Sequence, residues 1–471
     1  MLRLFTLQTT VDIPVQEIDF DILAKYDTAG PRYTSYPTAP QFIDAFTAKE
    51  LEEEIRATNS APNAPPLSLY FHLPFCESVC FFCACNVTFT SDRKRPIAYT
   101  DLLVREMDRV APKIASQRRV TQLHWGGGTP TFFSPDQLQR LHEATRTRFV
   151  FAEDAEVGLE VDPRETTSQH LKTLQELGFN RLSLGIQDFD PQVQKAVHRI
   201  QSEEMTRRVI NEARARGFQS ISVDLIYGLP FQTEKSFAST LERVIALDPS
   251  RVAVFNFAYL PEVVRHQKAI PANALPSPRE KLAILRRAIR AFTEAGYRYI
   301  GMDHFAKPDD ELCRAQDAGA LYRNFQGYTT HAGCDLYAFG VSAIGQIGCT
   351  YAQNYKNIHE YEAAICRGNL ATMRGIRLTE DDVLRREIIM KLLCDFALDT
   401  EAIGQRFKID FASYFADTLA ALKPMEEDGL VHSENRKLIV TPTGRLLIRN
   451  LCMLFDAHLK KNEEVHFSRT V

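Results

Sequence analysis

Long apolar runs and a surplus of charge of either sign are both missing from this chain of 471 residues. No uninterrupted apolar stretch approaches the roughly 18 residues that a membrane-spanning helix needs. The 56 basic and 60 acidic residues give a net charge of −4, without the basic surplus that nucleic-acid binding needs. Residues 1–10 hold few apolar side chains, which predicts that no signal peptide is present. We therefore expect no membrane and no nucleic acid among the partners of this protein.

The paired cysteines of a disulfide framework, or of an ordinary two-pair zinc site, are also missing. Four of the ten cysteines lie within ten residues in the spacing C-x3-C-x2-C-x-C, and the other six are scattered from Cys313 onward. A chain of this length buries a large core without disulfide bonds, so we expect free thiols and a cytoplasmic location. A zinc site normally adds a second Cys or His pair further along the chain. The four cysteines by themselves leave zinc open as an alternative.

The cluster of cysteines is Cys76, Cys80, Cys83 and Cys85. Thiolates so close together repel one another, and a metal centre is the usual compensation. Their spacing differs from the ferredoxin run C-x2-C-x2-C-x3-C, in which a thiolate holds every iron. Three cysteines at C-x3-C-x2-C would leave one iron of a cubane cluster without a protein ligand. An open coordination position on a metal is a place for chemistry.

Short β-rich runs alternate with amphipathic helical patterns between residues 67 and 302. The predicted strands are Leu67–His72, Thr121–Trp125, Glu156–Val161, Arg181–Ile186, Ile221–Ile226, Val252–Ala258 and Tyr297–Met302. The helical patterns are Pro96–Val110, Pro135–Thr147, Ser202–Arg216, Glu234–Leu247 and Ser277–Ala295. An alternation of this length predicts a parallel sheet of the α/β class, either open or closed into a barrel. Residues 309–347 are predicted to be glycine-rich loop and helix.

The N-terminal part of the chain differs from this central region. Residues 1–20 are predicted to be weakly structured. Asp21–Ala39 is rich in Tyr, Thr, Gly and Pro and predicts an extended segment. A capping box at Thr47–Glu50 predicts a short helix over 47–58.

The chain changes character again beyond Leu378. An N-cap at Thr379, helices near 400–407 and 411–424, a hairpin around Ser433–Arg436 and a helix from Pro442 predict a winged-helix-like, mostly helical domain. We expect this domain to cover the barrel. The predicted division is an N-terminal segment and helix (1–66), a barrel domain (67–376) and a C-terminal helical domain (377–471).

Several residues that follow the predicted strands are candidates for a ligand site, because a parallel α/β barrel binds ligands at the carboxyl ends of its strands. Gly126–Thr129 follows the second strand, where glycine lets backbone polar groups approach a ligand. Glu160 ends the third strand and Gln187 follows the fourth, with Arg199 beyond it; a guanidinium group pairs well with a carboxylate. Asp224 lies inside an apolar strand, where an unpartnered acid would be costly. The alternatives are a flexible glycine turn, an ordinary surface arginine and a satisfied core acid.

The sequence resembles a known family in three places. C-x3-C-x2-C after a strand, with Phe82 before the last cysteine, is similar to the signature of radical S-adenosylmethionine (SAM) enzymes. Together with Cys85, the Gly126–Pro130 run and the Tyr26–Thr38 segment, it resembles the oxygen-independent coproporphyrinogen III oxidases from about Asp21 to the C-terminus. The resemblance implies a partial, six-stranded (β/α) radical-SAM barrel. One departure is Ala84, where the family usually has glycine.

The resemblance also implies a set of cofactor-binding residues. Cys76, Cys80 and Cys83 would hold a [4Fe–4S] cluster, and one or two SAM molecules would bind, one of them at the open iron. The implied SAM site consists of Tyr70, Phe82, Gly127, Gly128, Thr129, Glu160, Gln187, Arg199, Asp224, Ala258 and Ile344. One electron from the cluster would cleave SAM to a 5′-deoxyadenosyl radical. This radical would start the conversion of two propionate groups of coproporphyrinogen III to vinyl groups, giving protoporphyrinogen IX.

The substrate is expected to meet three further residues, Cys85, Arg32 and Tyr33. Cys85 is not needed for a three-cysteine cluster, and the segment around Arg32 offers a guanidinium and aromatic faces to a flat macrocycle with carboxylates. A surface strap is the alternative for that segment. The expected partners are coproporphyrinogen III and an electron donor such as flavodoxin or ferredoxin, with the protein a monomer. A haem-binding chaperone and another porphyrin-modifying radical SAM enzyme are the alternative functions.

Overall fold

A computed structural model describes residues 20–459 and 467–470. The predictions for residues 1–10 and for almost all of 1–20 lie outside the described part of the chain. No helix within it is long and apolar enough to cross a membrane.

The centre of the molecule is a sheet to which twelve of the described strands belong. In chain order they are β1 (Leu67–Leu73), β2 (Val120–Gly127), β3 (Phe151–Val161), β4 (Arg181–Gln187), β5 (Ser220–Tyr227), β6 (Arg251–Asn256), β7 (Arg298–Gly301), β8 (His304–Ala306), β9 (Asp335–Phe339), β10 (Ile344–Ile347), β11 (Thr350–Asn354) and β12 (Thr372–Arg377). Their order across the sheet is β12-β11-β10-β9-β1-β2-β3-β4-β5-β6-β8-β7.

The six strands β1 to β6 are parallel neighbours in the order of the chain. Because every crossover between them advances in the same direction, their helices cover one face and the strands surround an interior. β8 and β7 extend the sheet beyond β6, and β9 to β12 extend it beyond β1. The two edges of this sheet, β7 and β12, do not pair with each other in the described part of the chain. This confirms the predicted partial (β/α)6 barrel. The first six of the seven predicted strands form these barrel strands, with ends that differ by a few residues.

The five helices predicted between the strands are all present. The prediction of an extended segment over Asp21–Ala39 was wrong for its first six residues, which are helical, with Asp21 in the first turn and Lys25 in the last where they suit the helix dipole. The N-terminal and barrel helices are α1 (Phe20–Tyr26), α2 (Ala48–Ser60), α3 (Arg95–Val110), α4 (Pro135–Arg146), α5 (Ser168–Glu176), α6 (Pro191–Ala196), α7 (Glu203–Ala215), α8 (Glu234–Leu247), α9 (Pro278–Glu294), α10 (Glu311–Asp317) and α11 (Ile358–Cys366). The capping box of α2 is present, because the Thr47 side chain accepts from the helix backbone while the Glu50 side chain accepts from the Thr47 amide. Side-chain oxygens thus satisfy amides that the first turn leaves without partners.

Two predictions about the edges of the sheet were wrong. The Tyr297–Met302 run does form β7, but it pairs antiparallel to β8, which is itself antiparallel to β6. The region 309–347 contains β9 and β10 as well as loop and helix. β9 pairs in parallel with β1, and its buried Leu336, Tyr337 and Phe339 complete the core on that side of β1.

The C-terminal region is mostly helical, as predicted. Its helices are α12 (Glu380–Asp395), α13 (Thr400–Phe407), α14 (Phe411–Tyr414), α15 (Ala416–Glu427), α16 (Pro442–Leu446) and α17 (Ile448–Leu454). The predicted hairpin is Val431–Glu434 with Lys437–Val440, and Ala397–Asp399 adds a third strand. Helices next to a small three-stranded sheet are the expected winged-helix-like arrangement.

Candidate active site

The loop after β1 carries all four clustered cysteines at the carboxyl end of the barrel strands. Phe75–Cys76 pairs in parallel with Thr88–Phe89, and the Thr88 amide donates to the Pro74 carbonyl at 2.7 Å. Between these two anchors, the Cys83 amide donates to the Cys80 carbonyl at 3.1 Å in a tight turn. The backbone of the cysteine loop is therefore fixed by hydrogen bonds at both ends and in the middle.

The four cysteines line one cavity of about 340 Å³. Most of the predicted SAM-binding residues line it as well: Phe82, Gly127, Gly128, Thr129, Glu160, Gln187, Arg199 and Asp224. An adjoining cavity of about 320 Å³ is lined by Tyr70 and Ile344 and shares Cys85, Gly127 and Glu160 with the first. The structure thus brings together residues that lie up to 274 positions apart in the sequence.

The glycine run after β2 is required by close packing, so the alternative of a flexible turn does not hold. A Cβ atom on Gly126 would lie 2.7 Å from Glu160 Oε1, and one on Gly128 would lie 2.7 Å from the carbonyl carbon of Pro74. Gly127 has φ of +114°, and its amide donates to Glu160 Oε2 at 3.1 Å. Glycine at these positions lets the run pass between Glu160 and the cysteine loop.

Two guanidinium groups approach the sulfur of Cys80. Arg164 Nη2 lies 3.3 Å from Cys80 Sγ and Arg199 Nη1 lies 3.6 Å from it. Asp162 links the two arginines, because its Oδ2 accepts from Arg164 at 2.7 Å and from Arg199 at 2.9 Å. These two positive charges hold the pKa of Asp162 at about 2, against the effect of burial. Asp162 and Arg164 were missed in the sequence, although they directly follow the third predicted strand.

Arg199 is not an ordinary surface residue. Its side chain is only 8% exposed, and Arg199 Nη2 donates to the Gly185 carbonyl at 2.7 Å. The alternative of a solvated arginine is therefore wrong.

The thiols of the cysteine loop differ in how readily they ionise. Burial raises the pKa of Cys76 to about 12, although a hydrogen bond with Thr129 opposes this. The hydrogen bond between Cys83 and Cys85 lowers the pKa of Cys83 to about 7 and raises that of Cys85, because one proton is shared. Buried thiols of this kind ionise when a metal centre supplies positive charge, which fits an iron–sulfur cluster.

The alternative of zinc has no support in the geometry. Among residues 20–459 and 467–470, no three His, Cys, Asp or Glu side chains converge closely enough to hold a single metal ion. The thiolate ligands of a cluster bind different irons, so they need not meet at one point. Ala84 is exposed and has an ordinary backbone conformation, so its methyl group does not disturb the turn between Cys83 and Cys85.

The two acids of the cavity ionise differently. Burial opposes the ionisation of Glu160, but His124 at 3.6 Å and the Gly127 amide outweigh it and hold its pKa below the usual value. Burial raises the pKa of Asp224 to about 7, and the charge of Glu160 adds to the effect. Carboxyl groups with separated pKa values can take different parts in binding and proton transfer.

The remaining predicted site residues lie outside these two cavities. Arg32 forms an ion pair with Asp303 and lies over the ring of Phe255, which lines the cysteine cavity. Tyr33 is 1% exposed and donates to Asp456 at 2.9 Å, so its side chain faces the C-terminal domain and not the cavity. Ala258 follows β6, where its carbonyl accepts from Gln267 at 3.0 Å.

Phe325 and Gln326 are further cavity residues that sequence reasoning missed. They line the cavity that holds Tyr70 and Ile344, and Gln326 Nε2 is buried without a protein partner. The only signal in the sequence was the Phe325–Thr330 run inside a segment predicted to be loop. The local pattern did not reveal that this loop reaches the site.

Comparisons with known proteins agree with this geometry. The Radical SAM superfamily model matches residues 70–244, and the HemN C-terminal domain model matches residues 378–447. An oxygen-independent coproporphyrinogen III oxidase from Pseudomonas aeruginosa is 49% identical and covers 96% of this chain and 98% of its own length. The Escherichia coli relative of the same description is 48% identical over 97% of this chain and 100% of its own.

A solved structure of coproporphyrinogen III oxidase (HemN) from Escherichia coli, described as a radical SAM enzyme, matches with a TM-score of 0.89 at 47% identity. The match covers 94% of this chain and 99% of that one. The agreement in sequence and fold runs over nearly the full length of both proteins. This chain therefore belongs to the oxygen-independent coproporphyrinogen III oxidases, a family of radical SAM enzymes.

Proposed function

We propose that this protein converts two propionate side chains of coproporphyrinogen III to vinyl groups by oxidative decarboxylation, yielding protoporphyrinogen IX in anaerobic haem biosynthesis. The observation that carries the proposal is a cavity lined by four cysteines and by polar residues at the carboxyl ends of β2 to β5, in a chain of this family. The proposed partners are coproporphyrinogen III and a flavodoxin or ferredoxin as electron donor. We also propose that the protein is a monomer and that it is located in the cytoplasm.

Cys76, Cys80 and Cys83 would hold the [4Fe–4S] cluster of the radical SAM enzymes. Bound together, the cluster and SAM supply the one-electron chemistry that removes a hydrogen atom from a propionate side chain. The chain's own contribution is to fix the three thiolates on a loop with anchored ends and to place Arg164 and Arg199 against one of them. This preorganisation lowers the cost of collecting negative charge in a half-buried cavity.

Glu160, Arg199 and the glycine run would bind the polar groups of SAM. Glu160 stays ionised and suits an amino group or a ribose hydroxyl, whereas Arg199 suits a carboxylate. The cavity that contains Tyr70 and Ile344 would receive apolar and ring parts of the ligand, since aromatic and aliphatic side chains line it. Whether one or two SAM molecules bind stays open in this proposal.

Cys85 would act on the substrate. It lines both cavities, and it shares a hydrogen bond with Cys83. Its pKa is raised, so at neutral pH it carries a proton that it can donate. Arg32 lies over the ring of Phe255, which lines the cysteine cavity. When substrate binds, Arg32 would pair with a propionate carboxylate in place of Asp303.

Anaerobic turnover tests this proposal. The reconstituted protein, incubated with coproporphyrinogen III, SAM and a reductant, should release two molecules of carbon dioxide per substrate and form protoporphyrinogen IX. Cys85→Ser should retain the cluster and lose decarboxylation, and Cys349→Ser is the matched control because Cys349 is exposed and lies outside both cavities. A wild-type protein that binds haem tightly but releases no carbon dioxide would instead be a haem chaperone.

A further inference from the structure

Three short segments of chain surround the cysteine loop at the surface of the barrel. They are residues 86–95, which follow the loop, residues 195–200, which begin in the last turn of α6, and residues 260–268 after β6. Each segment contacts a different one of the three proposed cluster ligands or its neighbour in the loop, and each exposes one large apolar side chain. We call these three segments the loop rim.

The first segment of the loop rim lies beside Cys76. Phe89 pairs with Cys76 in a short parallel ladder, and the Thr90 amide donates to the Cys76 carbonyl at 3.0 Å. Phe89 is 41% exposed, and its ring contacts the His266 imidazole edge-on with 6.2 Å between the ring centroids. Phe89 therefore joins the first segment to the third, at the wall of the cysteine cavity.

The second segment lies beside Cys80. Its Val197 carbonyl accepts from the Phe81 amide at 2.9 Å, and the His198 imidazole stacks on the Phe81 ring with 5.1 Å between the ring centroids. Ile200 directly follows the arginine that donates to Cys80. Ile200 is 64% exposed, so this segment also presents an apolar side chain to solvent.

The third segment lies beside Cys83. His266 Nε2 forms a hydrogen bond with the Cys83 carbonyl at 2.5 Å, and Gln267 Nε2 donates to the Phe82 carbonyl at 3.3 Å. Val263 of the same segment is 69% exposed. The three apolar side chains of the loop rim are among only eight large ones that are exposed within residues 20–459 and 467–470. Exposed apolar surface is therefore concentrated around the cysteine loop.

Positive charge is concentrated in the same place. Apart from the buried Arg199, the cysteine loop and the loop rim hold six basic and three acidic residues, a net charge of +3 in a chain whose net charge is −4. Three of the basic residues are exposed and form no ion pair in the described part of the chain: Lys94, Lys195 and Arg265. The ion pairs present are those of Arg93 with Glu77 and Glu165 and of Lys268 with Glu262. The loop rim therefore attracts an acidic partner.

A basic surface with apolar side chains fits an acidic protein that has an apolar contact area. Interfaces combine an apolar core with a polar border, and electron-transfer complexes lie at the small end of interface sizes, so a few apolar side chains are enough. Electron transfer slows steeply with distance, and the loop rim contacts the proposed cluster ligands or their neighbours in the loop. The electron donor of the proposed function is therefore the partner that this surface fits.

We propose that the loop rim is the docking surface for the electron donor, a small acidic protein that carries its electron on a flavin with an exposed apolar edge. That edge would contact the three apolar side chains, and the acidic residues around it would pair with the three unpaired cations. The flavin loses one electron and the cluster-loaded protein gains it, so no bond forms or breaks at this surface. The inference rests on the proposed function, which consumes one electron for each SAM molecule cleaved.

Binding of flavodoxin to the cluster-loaded protein tests this proposal. Anaerobic titration calorimetry measures Kd at about 0.1 M and about 1 M salt, where the screening length is about 10 Å and about 3 Å. The double variant Lys195→Glu with Arg265→Glu should raise Kd at least about tenfold at the lower salt concentration and much less at the higher one. Val263→Ser should raise Kd at both concentrations, because salt does not screen an apolar contact.

Arg367→Glu and Val150→Ser are the matched controls. Arg367 follows α11 and is exposed without an ion pair among the described residues. Val150 is exposed and precedes β3, at the opposite end of the strands from the cysteine loop. Both controls should leave the Kd for flavodoxin unchanged.

A Kd that the loop-rim variants leave unchanged would overturn the proposal. Tighter binding of an acidic ferredoxin than of flavodoxin, or a wild-type dimer that the loop-rim variants dissociate, would also overturn it, because another occupant would then cover the surface. Dithionite needs no docking surface, so with this reductant every variant should release carbon dioxide from coproporphyrinogen III at the wild-type rate. If the wild type releases none with dithionite, the proposed function fails, whereas the Kd values still decide the docking surface.

Discussion

At the scale of single residues, the sulfur atoms of the cysteine loop have unequal surroundings. Cys80 receives N–H groups from two arginines, whereas Cys76 has the neutral hydroxyl of Thr129 at 3.5 Å. Hydrogen bonds to the sulfur ligands are one of the factors that set the reduction potential of an iron–sulfur cluster. The protein therefore stabilises negative charge mainly at one corner of the proposed cluster.

Replacing Cys76, Cys80 or Cys83 singly with Ser should abolish cluster assembly and SAM cleavage, because each loss leaves an iron without its thiolate. Iron and sulfide analysis and the visible absorption of the reconstituted variants measure this. Cys366→Ser, a change at an exposed cysteine, should load normally. A loop variant with full iron content would remove that cysteine from the ligand set.

Arg164→Gln should leave the cluster assembled but make it harder to reduce. Losing the donor at 3.3 Å from Cys80 leaves more negative charge on the thiolate, so the midpoint potential should become more negative. A tenfold loss in the reduction equilibrium corresponds to about 59 mV for one electron. A redox titration followed by electron paramagnetic resonance measures it, with Arg140→Gln, an exposed arginine paired with Asp101, as control. An unchanged midpoint potential would mean that Arg164 pairs with Asp162 but does not influence the cluster.

Arg199→Ala and Glu160→Ala should each weaken SAM binding by about 1.5–3 kcal/mol, the range for hydrogen bonds to charged groups. Anaerobic equilibrium titration with SAM measures the affinity, and iron analysis shows whether the cluster is intact. Arg199 also donates to Cys80 and to Asp162, so Arg199→Lys, which keeps the charge, is measured beside the alanine variant. Equal SAM affinity in wild type and in both alanine variants would remove these residues from the SAM site.

Sequence reasoning found Glu160 and Arg199 but not Arg164, for a physical reason. Glu160 ends a predicted strand, where an acid is unusual enough to be noticed. Arg164 lies in a polar loop after that strand, where charged residues are ordinarily solvated. Only its contact with Cys80, 84 positions earlier in the chain, distinguishes it, and no local pattern encodes such a contact.

At the scale of elements, β9 has the largest effect on the site among the strands that were not predicted. The strand has five residues with a glycine close to each end, and its short length and those glycines suggest a loop. Its partner β1 lies more than 260 positions earlier in the chain. Past its end, Ser342 to Ile344 line the cavity that contains Tyr70. A buried carboxyl group, Glu106 of α3, holds the segment after β9 in place.

Glu106 joins α3 to the segments that follow β9. It accepts hydrogen bonds from the Gly340 amide at 2.8 Å, Asn354 Nδ2 at 2.7 Å and the Tyr361 hydroxyl at 2.7 Å. Burial raises its pKa from 4.5 to about 7, although these three donors oppose the change. The folded protein therefore holds a proton that the unfolded chain releases at lower pH.

This raised pKa predicts a pH dependence of stability. The contribution of Glu106 is fully present below about pH 4.5 and is lost as the pH rises through 7, about 3 kcal/mol in all. Glu106→Gln cannot ionise, so its unfolding free energy lacks this pH dependence. From pH 5 to pH 8, the unfolding free energy of the wild type should therefore fall relative to that of the variant. Denaturant unfolding followed by circular dichroism measures it. A difference that stays constant with pH would mean that Glu106 titrates normally.

At the scale of the whole molecule, the extended segment of residues 27–38 connects the barrel to the C-terminal domain. Arg32 pairs with Asp303 beside the barrel, while Tyr33 donates to Asp456 and the Tyr36 hydroxyl accepts from the Ala457 amide in the other domain. The sequence predicted an extended segment here but not which side chains face which domain. The division of the chain at 66 and 376 stays a prediction.

Arg449 is the residue on which this connection depends. It is 6% exposed and donates to the carbonyl groups of Gly30 and Pro31 in the segment and of Ser468 and Arg469 in the C-terminal tail. Burial lowers its pKa to about 10, and the nearby charge of Arg32 adds to the effect. The guanidinium group remains protonated at neutral pH and crosslinks two extended stretches of backbone.

Arg449→Met should release the segment while leaving the barrel intact. The four carbonyl groups would lose a charged donor, at a cost of about 2–4 kcal/mol in the attachment of the segment. Hydrogen exchange of residues 27–38 should therefore become faster. If Arg32 binds the substrate, kcat/KM for coproporphyrinogen III should fall at least about tenfold, the equivalent of 1.4 kcal/mol. SAM cleavage without substrate should be unchanged, because the cluster cavity does not include Arg449.

Arg436→Ala is the matched control, since this exposed arginine of the same domain pairs only with Glu401 among the contacts described. It should change neither hydrogen exchange in the segment nor turnover. If Arg449→Met speeds exchange but leaves kcat/KM unchanged, the segment is a structural strap and Arg32 has no part in holding the substrate. If turnover falls while exchange stays slow, Arg449 acts on the reaction by a route other than the segment.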